Sequence, residues 1–178
     1  REGAAPALWR RCSVSALPHA LLLDTNVWLD NYLPFRTGHE DATRLLTYAQ
    51  QAEVHLLYAM GSLQDLAYVL QASAKEQFRR IGRQVDQEAA AVARAFSLDC
   101  LANLRTIATA VGADESDLWL AERYLRVHHD VEDCLVMAAV TRSKADWLVT
   151  SDQALIRHAP VPALCPADLL ALVGAEDA

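Results

Sequence analysis

Glycine and proline are scarce in this chain, six of each in 178 residues, which leaves no room for a collagen-like or linker-dominated architecture. Cysteine is scarcer still. Cys12, Cys100, Cys134 and Cys165 lie at wide, irregular spacings without a CxxC pair, a pattern that fits neither a zinc site nor a disulfide framework and points to a reducing cytoplasmic setting. Long apolar runs are also missing. The best candidates, residues 20–23 and 134–140, are flanked by acids and fall short of the roughly 18 to 20 residues that span a bilayer, so no membrane segment is expected. The opening stretch contains Trp9, Arg10 and Arg11 but no apolar core of a secretory signal, and reads as a non-exported extension. An excess of positive charge is lacking too. Sixteen Lys and Arg stand against 23 Asp and Glu, a net charge of −7, which argues against nucleic-acid binding by bulk electrostatics and leaves any such role to local basic patches or metal ions.

What is present is the material of a core. Hydrophobic residues make up 53% of the chain, enough for one globular domain of ordinary size. Residues 19–23 form a short apolar run closed by Asp24, long enough for a buried strand and too short for a helix. Thr25 opens a short helix that ends near Pro34. Ala42, Leu45, Leu46 and Ala49 mark one face of the next helix, residues 54–58 read as a second strand, and Gly61-Ser62 opens a helix striped by Leu63, Leu66, Val69 and Leu70. Residues 72–103, free of proline and rich in Ala, Gln, Glu and Arg, read as a long helix or a helical hairpin. Residues 106–111 alternate like a short strand stopped by Gly112. Helices follow from Asp114 to Leu125 and from Asp130 through Val140, then a strand over 146–150, and a last strand and helix over 161–164 and 167–173. Strands separated by helices throughout imply an α/β fold, a three-layer α/β/α sandwich around a central parallel sheet.

Open parallel sheets place their sites at the carboxyl ends of strands. Asp24 and Asp152 close two of the predicted strands, while Asp65 and Asp133 lie on the first turns of helices that begin at Ser62 and Asp130. A helix that follows a strand starts at the edge where the strand ends, so four carboxylates are expected at one mouth. Each acid also has a plainer role. Asp24 can cap the helix at Thr25, Asp65 can pair with Ser62 in a capping box, Asp130 can cap the helix that holds Asp133, and Asp152 can cap residues 153–158 or make an Asx turn. Together the acids say more. Clustered carboxylates repel, raise one another's pKa and cost stability unless a cation sits among them. Hard oxygen donors select Mg²⁺ or Mn²⁺, and two such ions about 3.5 to 4 Å apart can clamp a phosphodiester and activate a water.

Four segments carry a resemblance. Leu21-Leu22-Leu23-Asp24-Thr25-Asn26-Val27, Ser62-Leu63-Gln64-Asp65-Leu66, residues 130–139 around Asp130-Val131-Glu132-Asp133, and residues 145–152 ending in Thr150-Ser151-Asp152 resemble, in order, the acidic motifs of the PIN-domain nucleases. The likeness runs over roughly residues 20–172. It implies a PIN-like sandwich occupying residues 19–178, with 72–126 as a largely helical insert and 1–18 as an extension. The implied activity is that of a metal-dependent endoribonuclease, with the VapC-like toxins of toxin–antitoxin pairs as the nearest subgroup. Carried over by position, Asp24, Asp133 and Asp152 fall on metal-ligand acids. Asp65 falls on a catalytic position where the family usually has Glu, one methylene longer. Asn26 and Thr150 match polar residues that orient the acids or a water. Asp130 and Glu132 are extra acids beside the third motif; helical spacing does not rank Glu132 against Asp133, and the motif alignment prefers Asp133. An RNA substrate, Mg²⁺ or Mn²⁺, an antitoxin partner, a homodimer and a cytoplasmic location are the corresponding expectations.

Several residues sit outside that pattern. His128-His129 read as a helix-end pair, because no second soft-ligand cluster accompanies them. Trp147 in a strand and Trp119 at helical spacing with Glu115 and Glu122 read as core or half-core, which leaves Trp28 as the tryptophan to consider for stacking on RNA. Arg36 and Lys144 are candidates for phosphate contacts at the mouth. The densest basic segment, Lys75, Arg79, Arg80 and Arg83, reads as a solvated helix face with Glu76 and Asp86 interspersed. Two other functions compete. One is a catalytically weak or inactive PIN-like module that binds RNA or protein, motivated by Asp65 and the insert. The other is a haloacid-dehalogenase-like phosphatase with Asp24 as nucleophile, against which stands Asn26 where that chemistry needs a second acid.

Overall fold

The computed structural model describes residues 17–174, so nearly all of the expected extension lies outside the described residues. Five parallel strands, β1 (Ala20–Leu23), β2 (His55–Ala59), β3 (Thr109–Val111), β4 (Trp147–Val149) and β5 (Ala163–Leu164), make one sheet in the order β3-β2-β1-β4-β5. The central strand is the apolar run before Asp24, and Leu21, Leu22 and Leu23 are each at most 2% exposed. Burial on that scale stabilises by about 1.5 to 3 kcal/mol per leucine. Successive strand side chains point to opposite faces, and β1 feeds two cores accordingly. Leu21 and Leu23 join the core beneath α1 (Thr25–Tyr32), α2 (His39–Gln51) and α8 (Pro166–Leu172), while Leu22 joins the one beneath α5 (Glu115–Tyr124), α6 (Val131–Ser143) and α7 (Gln153–His158). The expected α/β/α sandwich is the observed one.

The Ala- and Gln-rich stretch is a helical hairpin, α3 (Leu63–Arg80) and α4 (Gln87–Ile107), packed on the first of these cores through Leu66, Leu70, Cys100 and Leu104. Gly82 makes the turn at φ +75, a left-handed conformation that glycine adopts at little cost. Asp86 then restarts the chain as the cap of α4, its carboxylate accepting from the amide of Ala89 at 2.8 Å. Ser97 Oγ donates to the carbonyl of Ala67 at 3.1 Å and ties the two helices together. The strand expected over 106–111 is shorter than its alternating pattern suggests. Thr106 and Ile107 finish α4, because Leu101, Leu104 and Ile107 recur at helical spacing on its buried side, and only Thr109–Val111 remains extended. On the opposite face Asp114 caps α5 in a capping box with Asp117, and the guanidinium of Arg142 on α6 bonds both acids. No helix among the described residues is long and apolar enough to cross a membrane.

Candidate functional site

From β1 the chain builds outward to β2 and β3 on one side and to β4 and β5 on the other. Such a reversal opens a crevice outside the carboxyl end of the central strand, and Asp24 is the residue that follows β1 there. Its backbone N–H donates to Val149 O at 2.9 Å, which locks it to the end of β4. Its side chain is half-buried and bonded through both oxygens. Oδ1 accepts from the amide of Thr25 at 2.6 Å, and Oδ2 accepts from Asn26 Nδ2 and from Thr150 Oγ1, both at 2.7 Å. Thr150 is fully buried, and its hydroxyl also accepts from Asn26 Nδ2 at 2.9 Å and from the amide of Asp152 at 3.1 Å. The amide oxygen of Asn26 takes the Ser151 N–H at 2.9 Å. One hydroxyl thus donates once and accepts twice, its full capacity. Asp24 therefore caps α1 and anchors the crevice at once; its plainer role and its place in the site are not alternatives.

The other acids are held less uniformly. Asp152 caps α7 with Oδ1 alone, accepting from Ala154 N at 2.6 Å and Leu155 N at 3.1 Å. Asp130 has the capping role expected of it, accepting from the amides of Glu132 and Asp133 at 2.8 and 3.3 Å. Ser62 makes no side-chain capping bond, so the Ser62–Asp65 box does not form, and Asp65 lies exposed on the first turn of α3. Asp133 is paired: its Oδ2 is 2.6 Å from His128 Nε2. His128 does lie at a helix end, and the loop before α6 also folds back to bring its ring onto the carboxylate.

Burial pushes the Asp24 carboxyl up to about 6; the bonds from Thr150 and Thr25 hold it down, and the charges of Asp133 and Asp152 add to the rise. Glu132 is likewise raised, first by burial and then by Asp65, Asp130, Asp24 and Asp133. Acids from four separated segments thus share one electrostatic neighbourhood. They do not form a closed cage. Among the described residues no three His, Cys, Asp or Glu side chains are gathered closely enough to hold an ion as they stand. Repulsion accounts for this, together with the commitments of Asp133 to His128 and of Asp24 and Asp152 to helix caps. Asp65 and Glu132 also line a cavity of about 370 Å³ between the 3-10 turn Met60–Ser62, the end of β3 and α6.

Four expectations about the surroundings change. Arg36 is already paired: its Nε is 2.6 Å from Asp30, an acid only 3% exposed whose other oxygen accepts from Ser151 Oγ at 3.0 Å. A buried carboxylate needs that compensation. Lys144 ends α6 two residues before Asp146, whose backbone N–H bonds Ala20 O at the start of β1, the opposite edge of the sheet. Trp28 is 1% exposed and donates its indole N–H to Leu23 O at 3.2 Å, so it is core. Trp119 is 56% exposed with Arg123 over its ring at 4.9 Å, because α5 buries Asp117 and Ala121 instead. Asp30, which no motif contains, and Ser151, quoted only as a neighbour of Asp152, brace the loop that carries Asp152. Gly38 was the available signal, since a Cβ there would fall 2.3 Å from Asp30 Oδ2.

The family model for the PIN domain matches residues 20–154, from β1 into α7, and spans every acid described above. The chain belongs to the PIN-domain family. A solved structure shares the fold of this PIN domain, and a second is similar to it. VapBC2 from Rickettsia felis, bound to a DNA fragment from its promoter, superposes with a TM-score of 0.56 at 10% identity, covering 82% of this chain and 98% of that one. Mycobacterium tuberculosis VapC20, described as a Sarcin-Ricin loop cleaving toxin, gives a TM-score of 0.49 at 17% identity over 80% of this chain and 98% of that one. No curated protein matches the PIN domain described here in sequence.

Proposed function

We propose that this PIN domain is a metal-dependent endoribonuclease. The observation that carries the reading is Asp24, placed at the carboxyl end of the central strand, oriented by Asn26 and Thr150, and raised in pKa by burial first and then by the charges of Asp133 and Asp152. The donor set suits a hard divalent cation, since every candidate ligand is a carboxylate oxygen. Asp24, Asp133 and Asp152 would hold Mg²⁺ or Mn²⁺, with Asp65 and Glu132 on the cavity side. When bound, such an ion supplies charge neutralisation at a phosphodiester and lowers the pKa of an attacking water. The chain's own groups do the rest. Thr150 and Asn26 fix the carboxylate plane of Asp24, the α7 cap leaves the second oxygen of Asp152 uncommitted, and His128 sets the rotamer of Asp133. Asp65, one methylene shorter than Glu, reaches less far from α3. The likeness in fold to VapBC2 supports a partner protein of the antitoxin kind, and a homodimer and a cytoplasmic setting belong to the same reading.

Cleavage of end-labelled single-stranded and structured RNAs with Mn²⁺, Mg²⁺ or EDTA, by the wild type beside Asp24→Asn, tests it. Cleavage that needs the metal and is lost in the variant supports the nuclease; equal activity in both removes Asp24 from the chemistry. The pairing of Asp133 with His128 favours a second reading, a PIN-like module that binds RNA or protein without cutting. Calorimetric titration with Mn²⁺ separates the two, because that module would show no binding sensitive to Asp24→Asn.

A further inference from the structure

We infer that the exposed face of α3 is a track for single-stranded RNA that leads away from the acidic mouth. The inference rests on the reading of that mouth as an RNA site. Asp65, Tyr68, Ala72, Lys75 and Arg79 follow one another at alternating spacings of three and four, which puts them on a single face of the helix. That face lies opposite the buried Leu66 and Leu70. It starts in the electrostatic neighbourhood of Glu132 and Asp24 and, at about 1.5 Å per residue, carries Arg79 about 21 Å away. Tyr68 stands one turn beyond Asp65 and is 71% exposed, an aromatic ring offered to solvent beside the acids.

Positive charge gathers at the far end of the hairpin, with Lys75 and Arg79 on the face itself. Between residues 70 and 95 five cations, Lys75, Arg79, Arg80, Arg83 and Arg94, face three acids, Glu76, Asp86 and Glu88, in a chain whose net charge is −7. Glu76 holds Arg79 at 3.3 Å and Arg80 at 3.7 Å, and Glu88 holds Arg83 at 3.4 Å, but all of these side chains are 42% exposed or more. Such pairs are weak and exchange readily for a phosphate. Lys75 has no ionic partner among the described residues. An aromatic platform followed by spaced cations is how sequence-tolerant single-strand binding works: a base stacks and the backbone phosphates are neutralised beyond it. The net charge that argues against bulk electrostatic binding is thus answered by a local one.

Fluorescence anisotropy with a labelled 20-nucleotide unstructured RNA, on Asp24→Asn protein with and without the track substitutions, reads the proposal apart from cleavage. Tyr68→Ala is expected to weaken binding by about 5- to 100-fold and Tyr68→Phe to retain it. Lys75→Gln with Arg79→Gln is expected to flatten the plot of log affinity against log salt by about 1.4. Glu76→Gln, which releases two arginines, tightens binding by up to about fivefold. A tetranucleotide spans about 10 Å when stacked, so the double Gln variant in the cleaving protein should raise KM for the 20-mer at least about fivefold more than for the tetramer. Unchanged affinity and salt slope overturn the track, whatever the cleavage result. Tyr68→Ala that leaves RNA binding intact but alters the sedimentation of the protein overturns it in favour of a protein interface. Track-sensitive binding without cleavage by the wild type leaves the track standing and removes the nuclease reading.

Discussion

The two sides of the acidic mouth are built differently. On the side where β1 meets β4, Asp24, Asn26, Thr150, Ser151 and Asp30 form a continuous hydrogen-bonded knot, buried in part and braced by Arg36. On the side where α3 meets α6, Asp65 and Glu132 face an open cavity, and Glu132 is raised by burial and by neighbouring acids without a bond that compensates. A carboxylate held by three fixed donors is pre-set, with one lone pair of Oδ1 left over; one surrounded by other acids can move at little cost. The comparison teaches that position in this site is dictated from the strand ends and, at Asp133, by His128, while Asp65 and Glu132 adjust.

Substitutions can break that contrast. Asp24→Asn has the largest expected effect, a loss of RNA cleavage by more than about 100-fold in single-turnover assays, since it removes charge from the pre-set side. Thr150→Val and Asn26→Ala leave the acid in place but free its plane, and each is expected to cost about 10- to 100-fold, measured as metal affinity as well as rate. Asp65→Asn and Glu132→Gln, on the adjustable side, are expected to cost about tenfold or less on the same scale; a loss equal to that of Asp24→Asn would show that both sides are equally committed.

The acidity of Asp24 sharpens the comparison. With its carboxyl near 6 in the folded protein against 3.8 ordinarily, folding favours the protonated form. Its contribution to stability is therefore complete below about pH 4 and is lost as pH rises through about 6. Urea unfolding in EDTA should record that decline, and Asp24→Asn should lack it. Metal binding runs the other way: protons compete with the ion for this carboxylate, so the Mn²⁺ concentration that half-saturates the protein should rise as pH drops below 6. Saturating Mn²⁺ should offset the stability loss at neutral pH, by about 2.7 kcal/mol at a hundred times its Kd. The smallest change is structural. Gly38→Ala pushes a methyl group into the Asp30 carboxylate and should destabilise by about 1 to 3 kcal/mol in the same urea experiment.

Much of the fold could be read from the chain because β1 and β4 are apolar runs followed by acids and several helices carry clean stripes. The buried face of α2 is Ala42, Leu45, Leu46 and Ala49 and nothing else. Legibility failed where two periods fit the same letters, as at Thr106 and Ile107, and where a side chain's direction depends on a loop. Sequence names His128 and Arg36 but not the acids they turn to. It names Trp28 and Trp119 but not that the first points under β1 and the second into solvent. The acids were legible as a set because each follows a strand or opens a helix. Their individual commitments were not, since a cap and a ligand draw on the same carboxylate and only geometry shows which oxygen remains.

The sheet's outermost strands have three and two residues, β3 and β5. Every parallel strand at a margin leaves unsatisfied amides that another polypeptide can join. Here each margin is too brief to nucleate such a ladder, and the two longest strands, β2 and β1, lie inside the sheet, which leaves it almost no template for aggregation.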